Sequence, residues 1–189
     1  STPAPTYVRR CVEAADELGA ALAGGWVEAV GTNAFGRAVA AAFASPFAMG
    51  NAASWRPPAE PRMVASVPCG AYRTSELRAV GGFDEEQLAN QDYELNYRLR
   101  ERGCTLWLLP DVSFRYEPRD SVRRLARQFY RYGFYKARTM IKHPSSVRPR
   151  HLVPAALVVV GAVLVVASAF APAALAVLAA AIVLYLAAL

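Results

Sequence analysis

Asp92 is set apart from the other carboxylates of this chain by where it falls. It lies in Asn90-Gln91-Asp92, at the expected start of a helix that Leu95 and Leu99 continue and Gly103 stops. A carboxylate there can take the proton of a hydroxyl as that oxygen attacks an electrophilic carbon. The helix macrodipole is expected to hold it ionised, and therefore competent as a base at neutral pH. The same position equally suits an aspartate that only caps its helix. Gln128 and Arg131 are one helical turn apart and can point together at an anion such as a diphosphate. In a block this basic, they are equally read as part of a lipid-facing helix surface. Gly70 and Ala71 are small enough for a backbone to approach a ring, or simply to make a tight turn. Asp84 can accept a hydrogen bond from a substrate or close its own turn, and Glu94 is expected to pair with Arg98 at i+4 on a helix surface.

Metal and redox chemistry find little to work with. Cys11, Cys69 and Cys104 are widely spaced, match no zinc or redox pattern and read as small buried hydrophobes. His143 and His151 fall in a basic connector and read as interfacial residues rather than ligands, so no metal site is expected from these residues.

The elements that must position these side chains can be read in order. Thr6 is expected to cap a helix over residues 7–18, with Gly19 as its stop. Residues 20–30 suggest a short buried strand and a turn at Gly24-Gly25. Phe35, Val39, Phe43 and Phe47 recur every fourth residue, the stripe of a core-facing helix or, given the few charges nearby, a lipid-facing one. The prolines at 57, 58, 61 and 68 mark residues 51–68 as loop, with room for a short strand over 63–67. A short helix over 75–80 ends at Gly81-Gly82, and an acidic turn follows. After the helix that begins at Asn90, residues 105–109 read as one buried strand and residues 112–116 as a second, half-buried one. Residues 121–141 are helical by pattern, basic and aromatic together.

Charge divides the chain sharply. Residues 1–120 carry 12 Lys/Arg against all 15 Asp/Glu, a net −3, whereas residues 121–151 carry the other 9 Lys/Arg and no acid. Residues 152–189 have no charged side chain. Those 38 residues exceed the roughly 20 that one helix needs to cross a bilayer, and Pro172 divides them into two candidate spans, 152–170 and 173–189. The basic block directly before them points to anionic lipid head groups rather than nucleic acid. The expected division is thus 1–120 as a soluble catalytic part, 121–151 as a basic interfacial helix and connector, and 152–189 as a transmembrane hairpin.

Three segments, in this order, resemble family 2 glycosyltransferases. Cys69-Gly70-Ala71-Tyr72-Arg73 with Val80-Gly81-Gly82-Phe83-Asp84-Glu85 resembles that family's acceptor-side segment. Asn90-Gln91-Asp92-Tyr93-Glu94-Leu95 with Gly103 resembles its Glu-Asp motif helix. Gln128-Phe129-Tyr130-Arg131-Tyr132 resembles the Gln-x-x-Arg-Trp motif of its membrane-bound members. The nearest likeness is to bacterial succinoglycan-type exopolysaccharide enzymes. Gln91 stands where many members carry Glu, and Tyr132 where Trp is usual.

The resemblance implies an α/β fold of the nucleotide-diphospho-sugar transferase (GT-A-like) type, present as its acceptor half only, followed by an interfacial amphipathic helix and two transmembrane helices. It implies inverting transfer of a sugar from a nucleotide-sugar, a UDP-sugar, to a lipid-linked saccharide at the cytoplasmic face of a bacterial inner membrane. Asp92 would be the catalytic base, and Gly70, Ala71, Asp84, Gln91, Gln128 and Arg131 would contact substrate. The intact enzyme would use Mg²⁺ or Mn²⁺ on an Asp-x-Asp-like motif, which this chain lacks. Ser1-Thr2-Pro3-Ala4-Pro5 accordingly reads as the start of a fragment that begins inside a domain. The alternative is a non-catalytic membrane-anchored binding module whose basic helix docks on lipid or a partner protein.

Overall fold

The computed structural model describes residues 2–3, 5–46, 53–171, 173, 176–180 and 183. The chain forms two units, Ser1–Lys142 and His143–Leu189. The first is a mixed α/β unit whose centre is a parallel pair of strands, β2 (Leu22–Ala29) and β5 (Leu106–Tyr116). Strand β1 (Thr2–Pro3) lies antiparallel beside one end of β5, and β3 (Arg62–Met63) lies antiparallel beside the other. Strand β4 (Ala71–Tyr72) pairs antiparallel with the outer edge of β2, so the sheet order is β1-β5-β2-β4.

The strand β2 is buried almost continuously, as a central strand covered on both faces must be. Alternation sends neighbouring residues into different clusters. Ala23 and Val27 join Tyr7, Cys11, Ala14 and Ala15 of helix α1 (Tyr7–Glu17), whereas Leu22 joins Leu95 and Leu99 of helix α4 (Gln91–Glu101). Both helices end in a left-handed glycine, Gly19 (φ 58) and Gly103 (φ 82), followed by a hydrogen bond back to the last turn: Ala20 N–H to the Ala15 carbonyl (2.8 Å) and Cys104 N–H to the Leu99 carbonyl (3.1 Å). Thr6 occupies the expected capping position of α1, but its side chain makes no cap hydrogen bond.

Two strand expectations change. Residues 105–109 and 112–116 form one strand, not two, because the irregularity between them is a bulge rather than a turn. Gly25 pairs with Leu109 but Trp26 pairs with Ser113, leaving residues 110–112 extra on β5. Pro110, which has no N–H to give a ladder, sits in that bulge. The expected turn at Gly24-Gly25 is likewise continuous strand. Gly25 is needed there because a Cβ would lie 2.2 Å from the Val112 carbonyl oxygen and 2.9 Å from the Tyr7 ring. Gly25→Ala is therefore expected to cost at least the roughly 1–3 kcal/mol typical of overpacking. Thermal unfolding checks it, and an unchanged melting temperature would mean that the bulge is not where β2 and β5 are pinned.

The stripe at 35–47 forms helix α2 (Ala34–Ala44) with Val39 and Phe43 buried in the core, and Phe47 lies outside the described residues. The short strand expected over 63–67 is instead β3, and the short helix α3 spans Thr74–Ala79. Helix α5 (Val122–Lys142) is continuous over its 21 residues and belongs to the first unit. Its Phe129 joins Phe43, Trp55 and Tyr116 in an aromatic cluster with centroid separations of 4.6–6.4 Å. In the second unit, helix α6 (Pro149–Ser168) contains the one segment among the described residues long and apolar enough to cross a bilayer, His151–Ser168, with a mean hydropathy of 2.3. The second expected span, 173–189, falls mostly outside the described residues.

Candidate active site

Helix α4 and the loop before it carry the site, and α5 holds both in place. Asn90 occupies the capping position of α4 in the left-handed conformation (φ 55), which asparagine tolerates better than most residues. Its side chain makes no cap bond; its amide donates instead to the Tyr132 carbonyl of α5 (2.9 Å). Gln87 is buried, and its amide donates to the carbonyls of Ala89 and Tyr135 and to Thr139 Oγ1, each at 3.0 Å. Arg138 pairs with Glu86, and Lys142 Nζ reaches Asp84 Oδ2 at 2.9 Å. The acidic turn and the start of α4 are thus stitched along α5.

Asp92 is the second residue of α4 and is half-buried, with Oδ1 accepting the Tyr93 N–H at 2.8 Å. Burial pushes its carboxyl above the usual carboxylate range, and this outweighs the backbone N–H groups of Tyr93 and Asp92 itself and the charge of Lys136, which pull it down. The sequence expectation that the helix start would dominate is corrected accordingly: desolvation is the larger effect. The result is a carboxylate more basic than an exposed one, which suits a general base.

Two side chains from the opposing segment feel Asp92. The Tyr72 hydroxyl and the Cys69 thiol are both pushed up, first by burial and then by the Asp92 charge. Tyr72 on β4 donates to Asn96 Oδ1 (3.1 Å), and buried Asn96 donates on to Ser66 Oγ (2.9 Å) and the Val67 carbonyl (3.0 Å). Cys69 has a left-handed backbone (φ 51), and its carbonyl accepts the Tyr7 hydroxyl (3.0 Å), which itself accepts the Gly25 N–H (2.9 Å). The loop facing Asp92 is therefore tied to the centre of the sheet. Lys136 of α5 completes the surroundings, its Nζ 3.0 Å from the centroid of the Tyr93 ring.

The other expected site residues also make contacts within the chain. Gly70 presses on β2: a Cβ there would lie 2.4 Å from the Leu22 side chain and 2.7 Å from the Ala23 carbonyl oxygen, so its smallness serves packing. Ala71 pairs with Ala23 in the sheet. Asp84 caps the Glu86 N–H (3.0 Å), and its bond to Lys142 holds its carboxyl below the usual range. Gln91 is exposed at the head of α4, next to Asp92. Gln128 donates to the hydroxyls of Tyr116 (2.8 Å) and Tyr132 (3.0 Å) and accepts from Arg119 (2.8 Å), while the Arg131 guanidinium donates to the Leu88 carbonyl. Glu94 pairs with Arg98 as expected, but in the interior, with none of its side chain exposed. Tyr72, Tyr93 and Lys136 were not singled out from sequence; the first two lie inside the recognised motifs, and Lys136 carries no local signal. Among the described residues, no group of three or more His, Cys, Asp or Glu could hold a metal ion.

Comparison with known proteins finds similar chains in two bacteria. The chain is 32% identical over 152 residues to the succinoglycan biosynthesis protein ExoA of Rhizobium meliloti (strain 1021), covering 80% of this chain and 46% of that protein. It is 35% identical over 89 residues to the pre-mycofactocin glycosyltransferase of Mycobacterium tuberculosis, in strains CDC 1551 / Oshkosh and H37Rv, covering 46% of this chain and 19% of those proteins. The chain spans less than half the length of these curated relatives. No family model and no solved structure matches it.

Proposed function

We propose, from the premise that this chain belongs with the family 2 glycosyltransferases related to the succinoglycan type, that it is the acceptor half of a GT-A-like enzyme which uses Asp92 as its base. The intact enzyme moves a sugar from a UDP-sugar onto a lipid-linked saccharide in exopolysaccharide assembly. Asp92 takes the proton of the acceptor hydroxyl while that oxygen attacks the anomeric carbon. The bond from that carbon to the diphosphate breaks on the opposite face, the nucleoside diphosphate leaves, and the configuration inverts. The observation that carries this reading is the placement of Asp92, a half-buried carboxylate of raised basicity at the head of the motif helix, facing the motif segment that holds Cys69 and Tyr72. The Mg²⁺ or Mn²⁺ that the family implies finds no ligand cluster among the described residues, and the step assigned to Asp92 is a proton transfer alone.

A bacterial inner membrane is the proposed location, with the catalytic unit on its cytoplasmic side. Support comes from the apolar α6, with the cations Lys142, Arg148 and Arg150 close before its apolar run. Helix α5 adds an outward stripe of exposed Tyr130, Phe134 and Ile141 among arginines, a surface suited to anionic lipids. Inverted membrane vesicles carrying the intact enzyme are expected to incorporate label from a UDP-sugar into lipid-extractable material, and right-side-out vesicles to incorporate none. Failure with every nucleotide-sugar offered overturns the transferase reading; incorporation by right-side-out vesicles overturns the orientation.

A further inference from the structure

The geometry points to Lys136 as a positioning residue for Asp92: seated on the Tyr93 ring, it supplies the cation that α5 holds against the head of α4. Two sets of contacts fix where that cation stands. The Asn90 amide binds the Tyr132 carbonyl (2.9 Å), and Gln87 binds the Tyr135 carbonyl and Thr139 Oγ1 (3.0 Å each), so α5 cannot slide or turn along the segment that leads into α4. Lys136 lies one turn beyond Tyr132 on the same helix and is half-buried. Its ammonium is 3.0 Å from the Tyr93 ring centroid, a contact whose attraction grows as the site loses water. The Tyr93 N–H in turn donates to Asp92 Oδ1 at 2.8 Å, so ring, backbone and carboxylate form one short connected piece.

The charges around Asp92 leave Lys136 a distinct task. Cys69 comes from the segment before β4, Tyr72 from β4, Tyr93 from its own helix and Lys136 from α5. The thiol and the Tyr72 phenol are both pushed up and so are neutral at neutral pH, which leaves Lys136 as the cation facing the carboxylate among the described residues. Burial alone favours a protonated Asp92, useless as a base, and an opposite charge nearby works against that. Burial thus makes the base more basic, and Lys136 limits that rise so that the carboxylate stays ionised and available. The functional meaning of this rests on the assignment of Asp92 as base; the electrostatic coupling does not.

Titration of the whole chain in detergent micelles tests it, with aspartate carboxyls labelled by ¹³C and the Asp92 signal identified by its loss in Asp92→Asn. In Lys136→Met the Asp92 midpoint is expected to move to higher pH, and in Lys136→Arg to stay near the native value. Tyr93→Leu, which removes the seat and keeps the cation, is expected to move it upward as well. A role in folding alone lowers the melting temperature without moving the midpoint, so an unmoved midpoint in folded Lys136→Met, or in Tyr93→Leu should the first variant not fold, overturns the proposal. In the intact enzyme, Lys136→Met is expected to raise the acidic limb of the rate profile while the KM for donor stays unchanged. Should the midpoints move as expected while Asp92→Asn still transfers sugar, the coupling stands and the assignment of Asp92 as base falls.

Discussion

Arg98→Met is expected to cost about 3–5 kcal/mol of folding stability at neutral pH, the penalty for stranding one partner of a buried ion pair. Glu94 has no exposed side-chain surface, and Arg98 is 19% exposed. The guanidinium Nε reaches both carboxylate oxygens at 2.8 and 3.0 Å, and NH2 reaches Oε2 at 2.7 Å. The same group donates to the carbonyls of Val80 and Gly82, so it also anchors the turn between α3 and the acidic loop. Lys142 also pairs with Glu94, but at 3.9 Å and while bonded to Asp84, so it is the weaker partner. Loss of Arg98 therefore takes from the buried Glu94 carboxylate its closest cation and from two carbonyls their guanidinium donor. The double variant Glu94→Gln with Arg98→Met removes the stranded charge and is expected to recover part of the loss. Urea unfolding measures both, and a single-variant cost below about 1 kcal/mol, the level of an exposed pair, would show that the pair is not the buried anchor described here.

Asp92→Asn in the intact enzyme is expected to reduce sugar transfer by about 10²- to 10⁴-fold, the usual contribution of general-base catalysis, or about 3–5 kcal/mol of barrier. Nucleotide binding should be nearly intact, because the base acts on the acceptor. Stability should move the other way from activity. Since the folded protein holds the Asp92 carboxyl above its usual range, the stability it contributes is complete below the unfolded-state pKa and is lost as pH rises through the folded one. At neutral pH the ionised carboxylate is a net cost, so the neutral amide should leave stability unchanged or raise it. A loss of transfer accompanied by a fall in melting temperature would instead mark Asp92 as a structural cap.

The helices of the first unit were legible where caps and spacing are local. Asn90 and Gly103 bracket α4, Gly19 closes α1, and the stripe Val39-Phe43 forms α2, because each signal lies within a turn or two of the element it bounds. The family was legible from three motifs in order. What escaped depends on contacts between distant segments. Nothing near Pro110 tells that β2 will run alongside with a glycine opposite, which turns an apparent break into a bulge within one strand. The Glu94–Arg98 pair is visible as i, i+4 spacing, but its burial comes from the turn at Val80–Gly82 closing over it. Gly70 is visible as a small residue, but its close approach to Leu22 and Ala23 comes from the distant strand β2. The effect on Asp92 went the same way: its helix position is readable, whereas the burial that dominates its chemistry is made by the segments packed around it.

The pH dependence of single-turnover sugar transfer by the intact enzyme, compared between the native protein and Asp92→Asn from acid to neutral pH, tests the assignment of the base most directly. The native rate should fall along one acidic limb lying above the usual carboxylate range, because protonation of Asp92 removes the base. The residual rate of Asp92→Asn should be low and should lack that limb. An acidic limb that survives unchanged in Asp92→Asn would contradict the assignment and place the base on another residue.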